Sequence, residues 1–226
     1  MQKLIRLLYA SAAIAGAALS PQVQATLVTV NFDGPGLSGL YIAGESFSQS
    51  GYTMTADFDA GIVDTAAALG GAAPSGNATQ FYSNLNDGGL IMRRTDGGFF
   101  DLKGFDTAFI PLDPAGPGTT VMVAVGTHAD NSVGGVAWLF GAKSGNAFPF
   151  VNYSNPLDFA GFGLLKQVEF YACSFDGTSA CTASTMNNGQ FAIDNINLNK
   201  IPELSTAAML SLCLLGLALF SRRSAR

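Results

Sequence analysis

Between Thr26 and Lys200 the chain alternates apolar and polar residues in short runs, and glycines, four times as adjacent pairs, break the runs before a helical period is established. Gly70-Gly71, Gly88-Gly89, Gly97-Gly98 and Gly134-Gly135 are such breaks. Successive strand side chains point to opposite faces, so Val28, Val30 and Phe32 share one face of a first strand. Tyr52, Met54, Ala56 and Phe58 share a face of another, with Thr53, Thr55 and Asp57 opposite. Phe81, Ser83 and Leu85 line a further run. Phe100 and Leu102 precede Gly104, after which Phe105, Thr107 and Phe109 resume the alternation, so Gly104 marks a bulge or bend. Thr120–Thr127 is apolar on both faces, as a central strand is. Val136–Phe140, Gln167–Cys173 and Phe191–Leu198 complete the set. Many short strands with regular turn signals predict an all-β antiparallel sandwich or barrel. At 175 residues the stretch is long enough to bury most of its apolar surface alone.

The two ends have a different texture. Lys3 and Arg6 precede a thirteen-residue apolar run, Leu7 to Leu19, and Val23-Gln24-Ala25 supplies a small-x-small site. This order predicts a secretory signal over residues 1–25, cut between Ala25 and Thr26, delivered through the Sec export machinery. Leu204 to Phe220 is a second uncharged run, followed by arginines at 222, 223 and 226. Its length is at the short end of a membrane-spanning helix, and the arginines place the terminus on the cytoplasmic side.

Ile201-Pro202-Glu203-Leu204, an apolar helix and a terminal arginine cluster resemble the PEP-CTERM sorting signal of Gram-negative bacteria. The resemblance covers residues 201–226 and departs from the pattern once, with Leu204 where a second proline is usual. It implies a substrate of the membrane enzyme exosortase, cut near Pro202 and Glu203. The chain would then be transiently membrane-anchored before reaching the cell surface or extracellular matrix. A permanent tail anchor is the plainer alternative.

Val30-Asn31-Phe32-Asp33, Phe100 to Asp106, and Gln190-Phe191-Ala192-Ile193-Asp194 resemble a PEP-CTERM ectodomain family with a Gln-Phe-x-x-Asp motif before the sorting signal. The opening and closing strands are similar to galactose-binding-like jelly rolls, which implies a β-sandwich of that type over 26–200, flanked by a signal helix and a C-terminal hydrophobic helix. The likeness implies that the strands carrying Asp33 and Asp194 lie side by side and that these two acids help hold a structural Ca²⁺, with Glu45 a further donor. The alternative is that Asp33 caps the Gly34-Pro35-Gly36 turn and Asp194 bonds a loop amide.

Residues 26–200 carry six basic side chains against fifteen acids, a net charge of −9. Such a surface repels phosphate backbones and excludes nucleic acid as a partner. Cys173 and Cys181 flank a turn-forming stretch and predict a disulfide in an oxidising compartment, with zinc disfavoured for want of other ligands. Asp57-Phe58-Asp59-Ala60-Gly61 lacks the acids of a calcium loop. The one histidine, His128, has only Asp130 beside it and no nucleophile elbow, so no catalytic set is assigned. Tyr41, Tyr82, Tyr153 and Trp138 are the candidates for a flat sugar-stacking surface, with Trp138 better suited to the core. The sequence thus predicts a non-catalytic exported β-sandwich that binds extracellular polysaccharide at a site it does not reveal. A secreted polysaccharide hydrolase is the alternative.

Overall fold

The computed structural model of the chain describes residues 25–70, 73–111, 120–175, 181–183 and 189–202. Thr26–Ile201 form one mostly antiparallel β-structure, a nearly closed, barrel-like sandwich. One layer runs β2 (Gly39–Ile42), β5 (Ala60–Asp64), β6 (Phe81–Leu85), β14 (Phe191–Lys200), β8 (Phe100–Phe109) and β11 (Val151–Tyr153). The first strand, β1 (Thr26–Val30), pairs with the second half of β14. The opposing layer runs β10 (Val133–Leu139), β9 (Thr120–His128), β12 (Leu165–Phe175), β7 (Gly89–Arg94), β4 (Tyr52–Asp57) and β3 (Ser46–Gln49). A short β13 (Cys181–Ala183) pairs antiparallel with the end of β12. At one corner the layers join through the pair Leu165 and Phe100.

The alternation places the core between the layers. Val30, Phe32, Tyr52, Met54, Leu90, Met92, Phe105, Phe170 and Ile193 belong to one buried cluster. Rings pack edge to face around Phe105, which meets Trp138 at 5.0 Å and Phe170 at 5.4 Å between centroids, arrangements that add to plain area burial. Helical structure among the described residues is limited to α1 (Ala66–Leu69) and a 3₁₀ turn (Pro156–Phe159). No helix among the described residues is long and apolar enough to cross a membrane. The expected flanking helices lie outside the described residues.

The strand runs predicted from alternation are all present, with one correction. Phe58 does not continue the Tyr52–Met54–Ala56 face. β4 stops at Asp57, and Phe58 adopts φ 64° in the turn to β5, with its ring 70% exposed. Gly104 behaves as expected. The β8–β14 register shifts on both sides of it, and a Cβ there would meet the Tyr153 carbonyl at 2.6 Å, so only glycine admits β11 at this distance. Thr120–Thr127 lies between two partners in β9 and is buried on both faces over most of its length.

Candidate functional site

A sandwich has two outer faces, and polar side chains gather on both. On the first layer the gathering centres on Asp194. β14 runs beside β8 along one edge, while along the other it passes from β6 (Ala192, Ile193) to β1 (Ile196 onward). Asp194 sits in the gap between them, opposite Asp106 on β8. There β14 carries one extra residue, and Asn195 takes φ 48°, a left-handed conformation that asparagine tolerates well. Asp194 is wholly buried. Its carboxylate accepts the Asn77 side-chain amide at 2.6 Å and the Asn195 backbone N–H at 2.7 Å.

Burial pushes the Asp194 carboxyl up to about 7; Asp33 and Asp106 push the same way, against those two hydrogen bonds. Asp106 accepts side-chain amides from Asn152 at 2.6 Å and Asn195 at 2.7 Å. Asp33 accepts the Gln80 backbone N–H at 3.0 Å. The segment 77–80 therefore straps both acids that the sequence singled out. β1 and β14 are side by side, and the expected amide partner of Asp194 is Asn77. Asp33 caps this loop and not the turn at 34–36. Glu45 is elsewhere, its carboxylate accepting the Ile42 N–H at 2.9 Å. Beside the cluster a small apolar group, Phe81, Ala108, Ile110 and Ala192, is covered by Ala66, Leu69 and Phe150.

For a metal the donor set is short. Among the described residues no three His, Cys, Asp or Glu side chains group to hold an ion. Both Asp106 oxygens are occupied by amides. Gln80, however, has a buried Oε1 with no donor. Both Asp194 oxygens already accept N–H donors, from Asn195 and Asn77, so Asp33 and this oxygen fall well short of the six to eight that calcium takes.

The second layer presents its outer face differently. Met54, Leu90, Met92, Val168, Phe170, Met122 and Ala124 point into the core, so the intervening residues point outward. The register aligns them in rows across the strands. One row runs Ser48, Thr53, Arg93, Gln167, Thr127, Val133; the next runs Ser46, Thr55, Ile91, Glu169, Val125, Gly135. Asp57, Gly89, Tyr171, Val123 and Ala137 fall in a third. Arg93 donates from Nε to Gln167 Oε1 at 2.7 Å. Glu169 and Tyr171 face outward yet are half-buried. Burial raises the pKa of the Glu169 carboxyl, helped by Asp57, and burial then Glu169 raises that of the Tyr171 phenol. Beyond Tyr171 the face becomes apolar, with Val121, Val123 and Cys173 in one buried group.

At the opposite end of this face a cleft of about 350 Å³ opens between the strand ends. Arg93, Arg94, Phe99, Thr127, Lys166 and Gln167 line it together with Gly97. A second cleft of about 380 Å³ lies at Asp101, Lys103, Pro156 and Phe159, where Lys103 is paired with Asp101 at 2.7 Å.

The aromatic candidates from the sequence do not form a platform. Tyr82 is wholly buried and donates to the Gly89 carbonyl at 2.8 Å. Trp138 is in the core, as its apolar strand suggested. Tyr41 and Tyr153 pack against the core, with their hydroxyls held by the Leu37 and Leu139 carbonyls. Tyr171 was missed because only cross-strand register shows which face it joins, and Phe99 because it lies in the turn before β8, where no alternation applies. His128 and Asp130 close the β9–β10 hairpin, where Asp130 accepts both the N–H and the hydroxyl of Ser132. Cys173 is buried opposite Ala183, and Cys181 pairs with Phe175; the side chain of Cys181 lies outside the described residues. Ala25 directly precedes β1, which begins at Thr26. Pro202 is the last described residue and Glu203 lies outside them.

No family model matches the chain, and no curated protein does. Among solved structures, a DUF4465 family protein from Bacteroides caccae is similar over 77% of this chain and 99% of its own, at 15% identity and a TM-score of 0.51. The C-terminal family 22 carbohydrate binding module of a Clostridium thermocellum protein aligns over 77% of this chain and 93% of its own, at 9% identity and a TM-score of 0.35. A xylan-binding domain from Paenibacillus barcinonensis aligns over 79% and 97%, at 8% identity and a TM-score of 0.32. The first of these likenesses supports the β-sandwich fold; the other two are too distant to speak to ligand.

Proposed function

We propose that the chain is an exported, non-catalytic polysaccharide-binding protein built on a galactose-binding-like jelly roll, with the open outer face of the second layer as its binding surface. The observation that carries this reading is the row structure of that face. Ser, Thr, Arg and Gln side chains alternate across five strands, and Tyr171 follows Glu169 two residues along β12 on the same face. Repeated hydroxyl, amide and guanidinium groups suit the hydroxyls of a sugar chain, and an amphipathic ring suits the face of a pyranose. In affinity electrophoresis through polysaccharide-containing gels, the wild type is retarded by at least one polymer. Tyr171→Ala loses most of that retardation while the protein remains folded by circular dichroism. Equal retardation of both proteins would move the site off this face.

Delivery belongs to the same proposal. The signal over 1–25 and the sorting segment over 201–226 take the domain through the inner membrane to exosortase and then to the surface. Intact mass of the mature protein is expected to show loss near Ala25 and near Pro202, and Glu203→Ala is expected to leave an unprocessed form. A mass retaining the tail through Arg226 would make it a permanently anchored envelope protein. A structural Ca²⁺ at Asp33 and Asp194 belongs to the same proposal, with its remaining oxygens drawn from carbonyls, other side chains or water. Its charge would offset that of the buried carboxylate, which no basic side chain among the described residues neutralises.

One observation favours a second reading. Glu169 and Asp57 share the outer face, and the Glu169 pKa is raised, as a general acid requires. Release of new reducing ends by the wild type, but not by Glu169→Gln, would replace binding with hydrolysis.

A further inference from the structure

The cleft at the end of the polar rows differs from the rest of this acid-rich domain in its charge. Arg94, Lys200 and Lys103 have carboxylate partners. Arg94 holds Asp96 at 2.6 Å, Lys200 reaches the same Asp96 at 3.4 Å, and Lys103 holds Asp101. Arg93 and Lys166 have none among the described residues, although acids outnumber bases fifteen to six. Arg93 spends only Nε, on the neutral Gln167, and Lys166 gives one bond to the neutral Asn131 at 2.7 Å. Both cations line the same cleft.

Its wall adds a second observation. Arg94 is 6% exposed, and its guanidinium is fixed by the carbonyls of Phe99 and Ile201 and by Asp96. Its Nε remains buried with no acceptor. A buried donor left unpaired is costly. Phe99, half-exposed beside it, packs against no other ring among the described residues, whereas most phenylalanines of the core do.

We infer that this cleft binds a uronic-acid residue of an anionic polysaccharide, with Arg93 and Lys166 holding the carboxylate and Phe99 lying against the sugar ring. The inference rests on the polysaccharide reading and narrows it to acidic glycans. The free edge of the Arg93 guanidinium offers paired donors in the planar geometry that a carboxylate matches, and Lys166 adds a point charge. The domain's net charge of −9 does not prevent this. At physiological salt the screening length is about 8 Å, so two unpaired cations dominate the field inside their own cleft.

The test uses alginate, polygalacturonate, hyaluronan and glucuronoxylan, each beside its carboxyl-reduced counterpart, with binding to the mature protein measured by titration calorimetry. At least one acidic polymer is expected to bind ten-fold or more tightly than its reduced form. Arg93→Gln with Lys166→Gln should abolish that preference, whereas Lys103→Gln, which removes one charge from the other cleft, should retain it. Equal affinity for an acidic polymer and its reduced form overturns the charge inference and leaves the polysaccharide reading standing. Binding that survives the double substitution unchanged places the uronate elsewhere and also overturns it. Failure to bind any polymer of either kind sinks both.

Discussion

The two outer faces of the sandwich are built from the same strand geometry and treat their polar groups in opposite ways. On the first layer, Asp33, Asp106 and Asp194 all accept hydrogen bonds from the chain itself, and α1 and Phe150 cover the neighbouring apolar patch. On the second layer's outer face and in the cleft at its end, Arg93 and Lys166 have no counter-charge among the described residues, and Tyr171 and Phe99 have no ring partner among them. A polar group satisfied by its own fold contributes to stability. One left unsatisfied at the surface is available to something that arrives later.

The contrast predicts where substitutions are felt. The largest effect is expected for Asp194→Ala, which strands the Asn77 amide and the Asn195 N–H in a buried site. A loss of about 3 kcal/mol should appear in urea unfolding, and a change under 1 kcal/mol would mean that the cluster is not structural. A similar swing is expected with pH. The Asp194 carboxyl titrates near 7 when folded and near 3.8 when unfolded, so the folded state binds the extra proton between these values. The stability this supplies is complete below about pH 4 and is lost as pH rises through 7. Between pH 5 and 8 the calcium-free protein should therefore lose on the order of 3 kcal/mol. Asp194→Asn should flatten that slope, as should millimolar calcium if Asp33 and Asp194 hold the ion. A wild-type profile indifferent to both would remove calcium from the account.

Next in size is the expected Cys173–Cys181 bridge. A mass deficit of two hydrogens is expected, and reduction should cost about 2–3 kcal/mol. An unchanged melting temperature on reduction would leave the two cysteines unlinked. The smallest effect belongs to the open face. Arg93→Ala should change stability by no more than about 0.5 kcal/mol while weakening acidic-glycan binding. A large loss of stability there would erase the distinction between the faces.

Much of this layering was legible in alternation alone, because burial on one side of a strand writes a period of two into the sequence. Tyr52, Met54 and Ala56 show it, and Gly104 announced the irregularity where three strands crowd. Phe58 misled because its left-handed turn conformation ends the strand one residue earlier than its side chain suggests. The site was harder. Asp33 and Asp194 were visible as isolated acids at the opening and closing strands. Asn77 and Gln80 reach them from a loop whose path no local pattern encodes. The row joining Arg93, Gln167 and Thr127 needs the pairing of three strands distant in sequence, and pairing register is a tertiary property. Asp106 carried one faint signal, a charge at an outward position between Phe105 and Thr107.

The pairing of the first strand with the last has a mechanical consequence. Thr26 lies opposite Lys200, so the two ends of the sandwich leave side by side. Tension applied between these ends would peel β1 from β14 like a zipper, breaking one rung at a time at low force. Tension borne by Lys200 against the body of the domain instead loads the β14–β8 ladder lengthwise, where many rungs share it at once. A domain tethered through its tail in flowing medium would be pulled along its stronger direction.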